Sequence, residues 1–201
     1  MKKLIKTPVT LQLIFCVSAL VLSALTSVSA QAQEQPHALF EPINQVLTGP
    51  RCLNCHTARD FPTQGNERRV HDQHVVRGED NFGAPTLRCQ TCHQDTNTGF
   101  GEVPGAPNWH LAPKSMAWEN IIGETLSAID VCESLKDTSG NGGRTLDMLV
   151  DHVDEDVLVN WAFAPGKRDV PSVDGNALSH SEFVELVRLW ADAGGPCAST
   201  D

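Results

Sequence analysis

"RCLNCH" at residues 51–56 returns as "RCQTCH" at residues 88–93. Each stretch is a C-x-x-C pair followed directly by histidine, and the meaning of that repeat decides what kind of protein this is. Two C-x-x-C pairs are compatible with a structural zinc site, a redox dithiol pair or two covalently attached porphyrins. The trailing residues, His56 and His93, separate these readings. Two thiols three residues apart reach the two vinyl groups on one edge of a haem and form thioethers. The imidazole of the next residue then lies under the ring, where it can take the proximal position on the iron. Structural zinc wants four thiolate or imidazole ligands and usually a shorter gap between pairs; here 33 residues lie between Cys55 and Cys89. A thioredoxin-like site needs one C-x-x-C in a βαβ context, which the sequence lacks. Both alternatives leave the histidines unexplained. The motifs predict two covalently bound haem c groups, attached through Cys52, Cys55, Cys89 and Cys92, with His56 and His93 as iron ligands.

The N-terminal segment agrees with this chemistry. Lys2, Lys3 and Lys6 precede an apolar run from Leu11 to Leu25, and small residues follow at Val28-Ser29-Ala30 and Ala30-Gln31-Ala32. That order predicts a cleaved secretory signal peptide over residues 1–30. The run is short for a bilayer span, so no membrane span is expected after cleavage. Cys16 would leave with the signal; bulky Ile14 and Phe15 stand where a lipidation site needs small residues. The expected compartment is the periplasm. Six cysteines would remain there, and unmodified thiols in an oxidising compartment pair as disulfides. Cys132 and Cys197 have no partner but each other, which predicts a disulfide closing a loop of about 65 residues, worth roughly 4 kcal/mol.

The whole chain of 201 residues carries a net charge of −10. Loss of the three lysines leaves 12 basic side chains against 25 acidic ones, a net charge of −13. Nucleic acids and anionic membrane surfaces need a basic footprint, so neither is an expected partner. A redox protein with a basic docking surface suits this charge.

Beyond the motifs, the chain reads as mainly α with long irregular loops. "PHALFEPINQVL", residues 36–47, places Leu39, Phe40, Ile43, Val46 and Leu47 at helical spacing, with Gly49-Pro50 as its stop. From Thr57 to Pro113 no long periodic stretch occurs, and turn-rich pieces such as "GEDNFGAP" take its place. Such a segment has too few apolar side chains to order itself, so the haems are expected to form much of its core. The C-terminal half is helical. Ser127 is the N-cap expected in "LSAIDVCESLKD" and Thr145 the one in "RTLDMLVDHV", and Ser179 with Glu182 makes a capping box for a last helix carrying Phe183, Leu186, Val187 and Trp190. Gly194 and Pro196 end it. The expected organisation is a dihaem-binding segment, residues 31–118, with a helical segment, residues 119–201, packed on it as one domain.

Proximal ligands follow from the motif, whereas distal ones do not. His110, in "GAPNWHLAP", is the leading candidate, because two prolines and Trp109 restrict the backbone and supply an apolar wall. His71 or His74, in "RRVHDQHVVRG", could serve the other iron, with His71 favoured. Met116 lies 60 residues after His56, a separation compatible with a distal methionine. His152 and His180 fall within helices and read as surface or capping histidines. The choice matters because methionine raises the reduction potential relative to a second histidine. Histidine pairs are expected at both irons; a sulfur-to-iron band near about 695 nm would count against that for at least one.

These residues resemble short secreted dihaem proteins of bacteria, often labelled isoquinoline 1-oxidoreductase subunits. The resemblance runs from Leu39 to Cys197 and rests on "FEPINQVLTGPRCLNCH", "RCQTCHQDTN", "GAPNWHLAP", "CESLKD", "NGGRTLDMLVDHV", "WAFAPG" and "LVRLWADAGGPC". "PNWH" and "NGGRT" are its most specific segments. It implies a cytochrome c-like electron carrier, not an enzyme that itself hydroxylates isoquinoline. The label implies a molybdenum hydroxylase-type oxidoreductase as the redox partner. His110 and His71 fall within the shared motifs. Many members carry methionine just before the second haem motif, where this chain has Leu87, so the distal assignment stays open. Three functions therefore stand side by side: an electron carrier with two six-coordinate haems, a dihaem enzyme of peroxidase or thiosulfate-oxidising type with one open haem position, and a haem sensor or docking subunit.

Overall fold

Gly49 and Pro50 divide the first helical stretch in two. In the computed structural model, which describes residues 36–99 and 103–197, a 3₁₀ turn Pro36–Leu39 leads into α1, Phe40–Leu47. Gly49 then takes an extended conformation (ψ 157°), and Pro50 becomes the first residue of a one-turn helix α2, Pro50–Leu53. Proline lacks the N–H that a first-turn residue would leave unpaired, so the residue that stops α1 also starts α2. The expectation of a simple stop is corrected here: the break turns the chain and delivers Cys52 on a new helical turn.

Residues 54–113 contribute little apolar core. Among the described residues of this span, Ala106 and Leu111 are its buried hydrophobic side chains. Two antiparallel hairpins order it locally: β1 Thr63–Gln64 with β2 Arg69–Val70, and β3 Gly83–Ala84 with β4 Leu87–Arg88. Gly83 has φ +92°, a conformation for which a side chain would run into the Leu87 carbonyl. Glycine lets this hairpin close directly before Cys89. A buried cation binds the loops together. The Arg77 guanidinium donates to the Thr57, Arg59 and Ala112 carbonyls and to Asn81 Oδ1. Glu119 is a second buried charge; it accepts from Thr57 and Arg68, with Arg59 at 3.6 Å.

The rest is helical: α3 Ala128–Lys136, α4 Leu146–Glu155, α5 Val157–Phe163 and α6 His180–Asp192. The three expected caps form. Ser127, Thr145 and Ser179 accept from the backbone N–H of Asp130, Met148 and Glu182, and Glu182 completes the capping box. α5 was not expected. It is too short to show helical periodicity, and its signal is Asp156, whose Oδ1 accepts from the Leu158 and Val159 N–H groups. A third hairpin, β5 Ser172–Val173 with β6 Asn176–Ala177, precedes α6.

The apolar faces of α1, α3, α4 and α6 make one core. Phe40 packs on Trp190 with ring centroids 5.6 Å apart, and the Trp190 Nε1–H donates to the Pro196 carbonyl at 3.0 Å. The disulfide Cys132–Cys197 forms as expected, with Cα atoms 5.6 Å apart, and ties α3 to the chain beyond α6. The architecture is thus six helices and three two-stranded hairpins among the described residues, with no closed sheet. All described residues belong to one compact unit, 35–201. The expected signal peptide at 1–30 lies outside the described residues. Among those described, no helix is long and apolar enough to cross a membrane.

Candidate cofactor-binding site

The two C-x-x-C-H stretches fold into the same turn although their surroundings differ. In the first, Cys55 N–H donates to the Cys52 carbonyl at 3.1 Å and His56 N–H to the same carbonyl at 2.9 Å. In the second, the Cys92 and His93 N–H groups donate to the Cys89 carbonyl at 3.2 and 3.0 Å. One helical turn puts residues i, i+3 and i+4 on a common face. Both thiols of each pair and the following imidazole therefore look the same way.

Each imidazole is held by one carbonyl and one tryptophan. His56 Nδ1 donates to the Met116 carbonyl at 2.7 Å, and its ring stacks on Trp118 at 3.7 Å between centroids and 4° between planes. His93 Nδ1 donates to the Pro104 carbonyl at 2.8 Å, and its ring stacks on Trp109 at 4.4 Å and 3°. A carbonyl only accepts, so Nδ1 must carry the proton, and a neutral ring keeps its lone pair on Nε2. Burial enforces neutrality: it pushes the His56 pKa down to about 4, against the raising effect of the Met116 bond. Burial lowers His93 as well. Each site thus presents an oriented, unprotonated Nε2, which is the arrangement a metal-binding histidine requires.

Each motif borders its own cavity. Cys52, Cys55 and His56 line one of about 270 Å³. Cys89, Cys92 and His93 line another of about 680 Å³. Small-molecule cofactor sites span roughly 300–1,000 Å³, so the second falls within that range and the first just below it. Arg51, Cys55, Trp109, His110 and Trp161 border both cavities. One layer of side chains therefore separates the two spaces. Trp109 and Trp161 meet edge to face in that wall, 4.7 Å apart.

Three of the four motif thiols are held protonated by burial. Burial pushes Cys52 up to about 12 and Cys55 to about 11, and raises Cys89. A redox dithiol or a thiolate ligand needs the opposite shift. Among the described residues, no group of three or more His, Cys, Asp or Glu side chains is placed to hold a metal ion between them.

The remaining sequence candidates fall in distinct places. His71 lines the second cavity with its ring centroid 5.9 Å from that of His93, and its Nδ1 is buried without a hydrogen-bond partner. His74 is exposed and borders neither cavity. His110 stands on the shared wall, stacked on Phe82 at 4.7 Å, with Nδ1 donating to the Asn108 carbonyl at 2.5 Å. Met116 is buried, and its carbonyl stands behind the His56 ring. His180 behaves as a capping histidine, since its Nε2 donates to the Val153 carbonyl near the end of α4 at 2.6 Å. His152 departs from the expectation of a surface residue: it lines the first cavity, together with Leu149, Val153 and Asp156 of the same helix face. Its signal in the sequence is this spacing, which puts it on the apolar side of α4 beside the residues that fill the core. No family model, curated protein or solved structure matches this chain.

Proposed function

We propose that the protein is a periplasmic dihaem c-type cytochrome that passes electrons between redox partners, of the kind its sequence resembles. The observation that carries this reading is the paired geometry of the motifs. Two C-x-x-C-H turns share one backbone pattern, and each offers a neutral imidazole whose Nδ1–H is committed to a carbonyl. Three further features support it. A cavity adjoins each motif. Among its described residues, the span from 54 to 113 buries few apolar side chains of its own. The buried, unpartnered His71 Nδ1 stands in the same cavity as His93.

Cys52 and Cys55 would hold one haem and Cys89 and Cys92 the other, with His56 and His93 as proximal ligands. When bound, the two irons supply reversible one-electron chemistry. The protein's own contribution is orientation, exclusion of water and proximity. The carbonyls of Met116 and Pro104 and the rings of Trp118 and Trp109 fix the two imidazoles, which limits rearrangement when charge changes. The single layer between the cavities keeps the path from one centre to the other short. Two imidazoles sharing a metal, at bonds of about 2 Å each, have ring centres roughly 6 Å apart. The His71–His93 separation of 5.9 Å suits that role for His71. The acidic surface favours a basic docking face on the partner, and the resemblance points to a molybdenum hydroxylase-type oxidoreductase for that partner.

The test uses the full chain produced with haem-maturation machinery. Intact mass should show two haems per chain, and the C89A/C92A double variant should retain one. Low-spin spectra in both oxidation states, without a carbon monoxide shift on reduction, are expected of a carrier. Carbon monoxide binding by the wild-type protein would replace this reading with that of a dihaem enzyme.

A further inference from the structure

We propose that His152 is the distal ligand of the first haem, facing His56 across the cavity that Cys52 and Cys55 border. This inference rests on the dihaem reading above and deepens it. His152 lies in the last turn of α4, on a stripe with Leu149 and Val153, and it borders the cavity together with them and with Asp156, which caps the helix C-terminus. A helix positions a ligand more rigidly than a loop does. Its Nδ1 is 3.7 Å from Asp156 Oδ2, an ion-pair contact slightly longer than a hydrogen bond. A carboxylate this close is placed to accept the Nδ1–H after a small shift, the usual second partner of a metal-bound histidine. Asp156 is itself fixed, because it caps α5 through Leu158 and Val159.

The competing residue is His110. It borders both cavities, and its ring is stacked on Phe82 at the start of the hairpin that delivers the second motif. His152 borders the first cavity alone. Met116 also borders the first cavity, but its backbone carbonyl accepts the His56 Nδ1–H, which ties this residue to the side of the ring away from Nε2, and its buried side chain packs in the hydrophobic core. His152 therefore serves the first haem, His71 the second, and His110 belongs to the wall between them.

The assignment is tested on haem-loaded full-length protein by intact mass, electron paramagnetic resonance and carbon monoxide titration. In H152A with both haems attached, half of the iron should become high-spin, and one haem per chain should bind carbon monoxide after reduction. H110A should remain low-spin at both centres. H152M provides a gain of signal in case the alanine variant folds poorly: a charge-transfer band near about 695 nm from one haem, with that haem's potential raised. Two low-spin haems in H152A, or a high-spin haem in H110A instead, would overturn the assignment while leaving the dihaem reading intact. A wild-type chain that matures without covalent haem would overturn both.

Discussion

His56 and Met116 are joined through the imidazole Nδ1–H and a backbone carbonyl, 2.7 Å apart and 60 residues distant in sequence. The bond gives Met116 a part in the first site that its side chain alone does not suggest. It orients the proximal ring from behind and leaves the thioether in the core. M116L should therefore preserve the optical spectra of both haems and cost less than about 1.5 kcal/mol of stability, as volume-conserving core exchanges do. Loss of a sulfur-to-iron band, or a changed spin state, would show that the sulfur reaches an iron after all.

Arg77 is the main tie within the segment that has least core of its own. Its side chain is 5% exposed and donates to three backbone carbonyls and one side-chain oxygen. Removing it leaves buried acceptors without partners, so R77A should lose roughly 3 kcal/mol or more in urea unfolding. R77K should fall between, because an ammonium cannot match the planar fork of the guanidinium. A variant as stable as the parent would mean that haem attachment alone organises these loops.

The Cys132–Cys197 bond closes a 65-residue separation between α3 and the segment after α6. The C132A/C197A pair should be destabilised by roughly 2–5 kcal/mol. Haem content should be unchanged, since neither residue borders a cavity. A stable double variant would contradict the first expectation, and loss of haem would contradict the second.

Before haem is attached, acid should weaken the fold through its buried imidazoles. His56 is held at about 4 by burial, against an ordinary value of 6.5. Between these values the unfolded chain binds the proton and the folded one does not, so stability rises with pH across that window. It should be complete above about pH 6.5 and fall as pH drops toward about 4, with His56 contributing about 3 kcal/mol. His71, His93 and His152 shift in the same direction through burial. Urea midpoints of the chain produced without haem, measured from pH 7.5 to pH 4, provide the check; a flat profile would contradict the buried, neutral state of these rings.

What was legible in the sequence was local. Caps at Ser127, Thr145 and Ser179 need only a side-chain oxygen and a backbone N–H two or three residues on, so they can be read in a short window. The C-x-x-C-H turns are local too, closed by bonds that span four residues or fewer. The disulfide followed by elimination, because once Cys16 is assigned to the expected signal peptide no other thiol stands outside the motifs. Two-residue strands and the seven-residue α5 are too brief to carry a periodic signal, and they went unread for that reason.

By itself, then, the sequence determined the two C-x-x-C-H turns with their trailing histidines and most of the helix ends. The tertiary structure decided which groups stand behind those histidines and which stand across from them. Met116, Pro104, Trp118 and Trp109 reach the motif imidazoles from up to 62 residues away. His152 enters the first cavity because the core face of α4 turns toward it. Spacing along a chain carries no information about such meetings, since the loops between these residues are closed by packing and buried hydrogen bonds, not by any local rule.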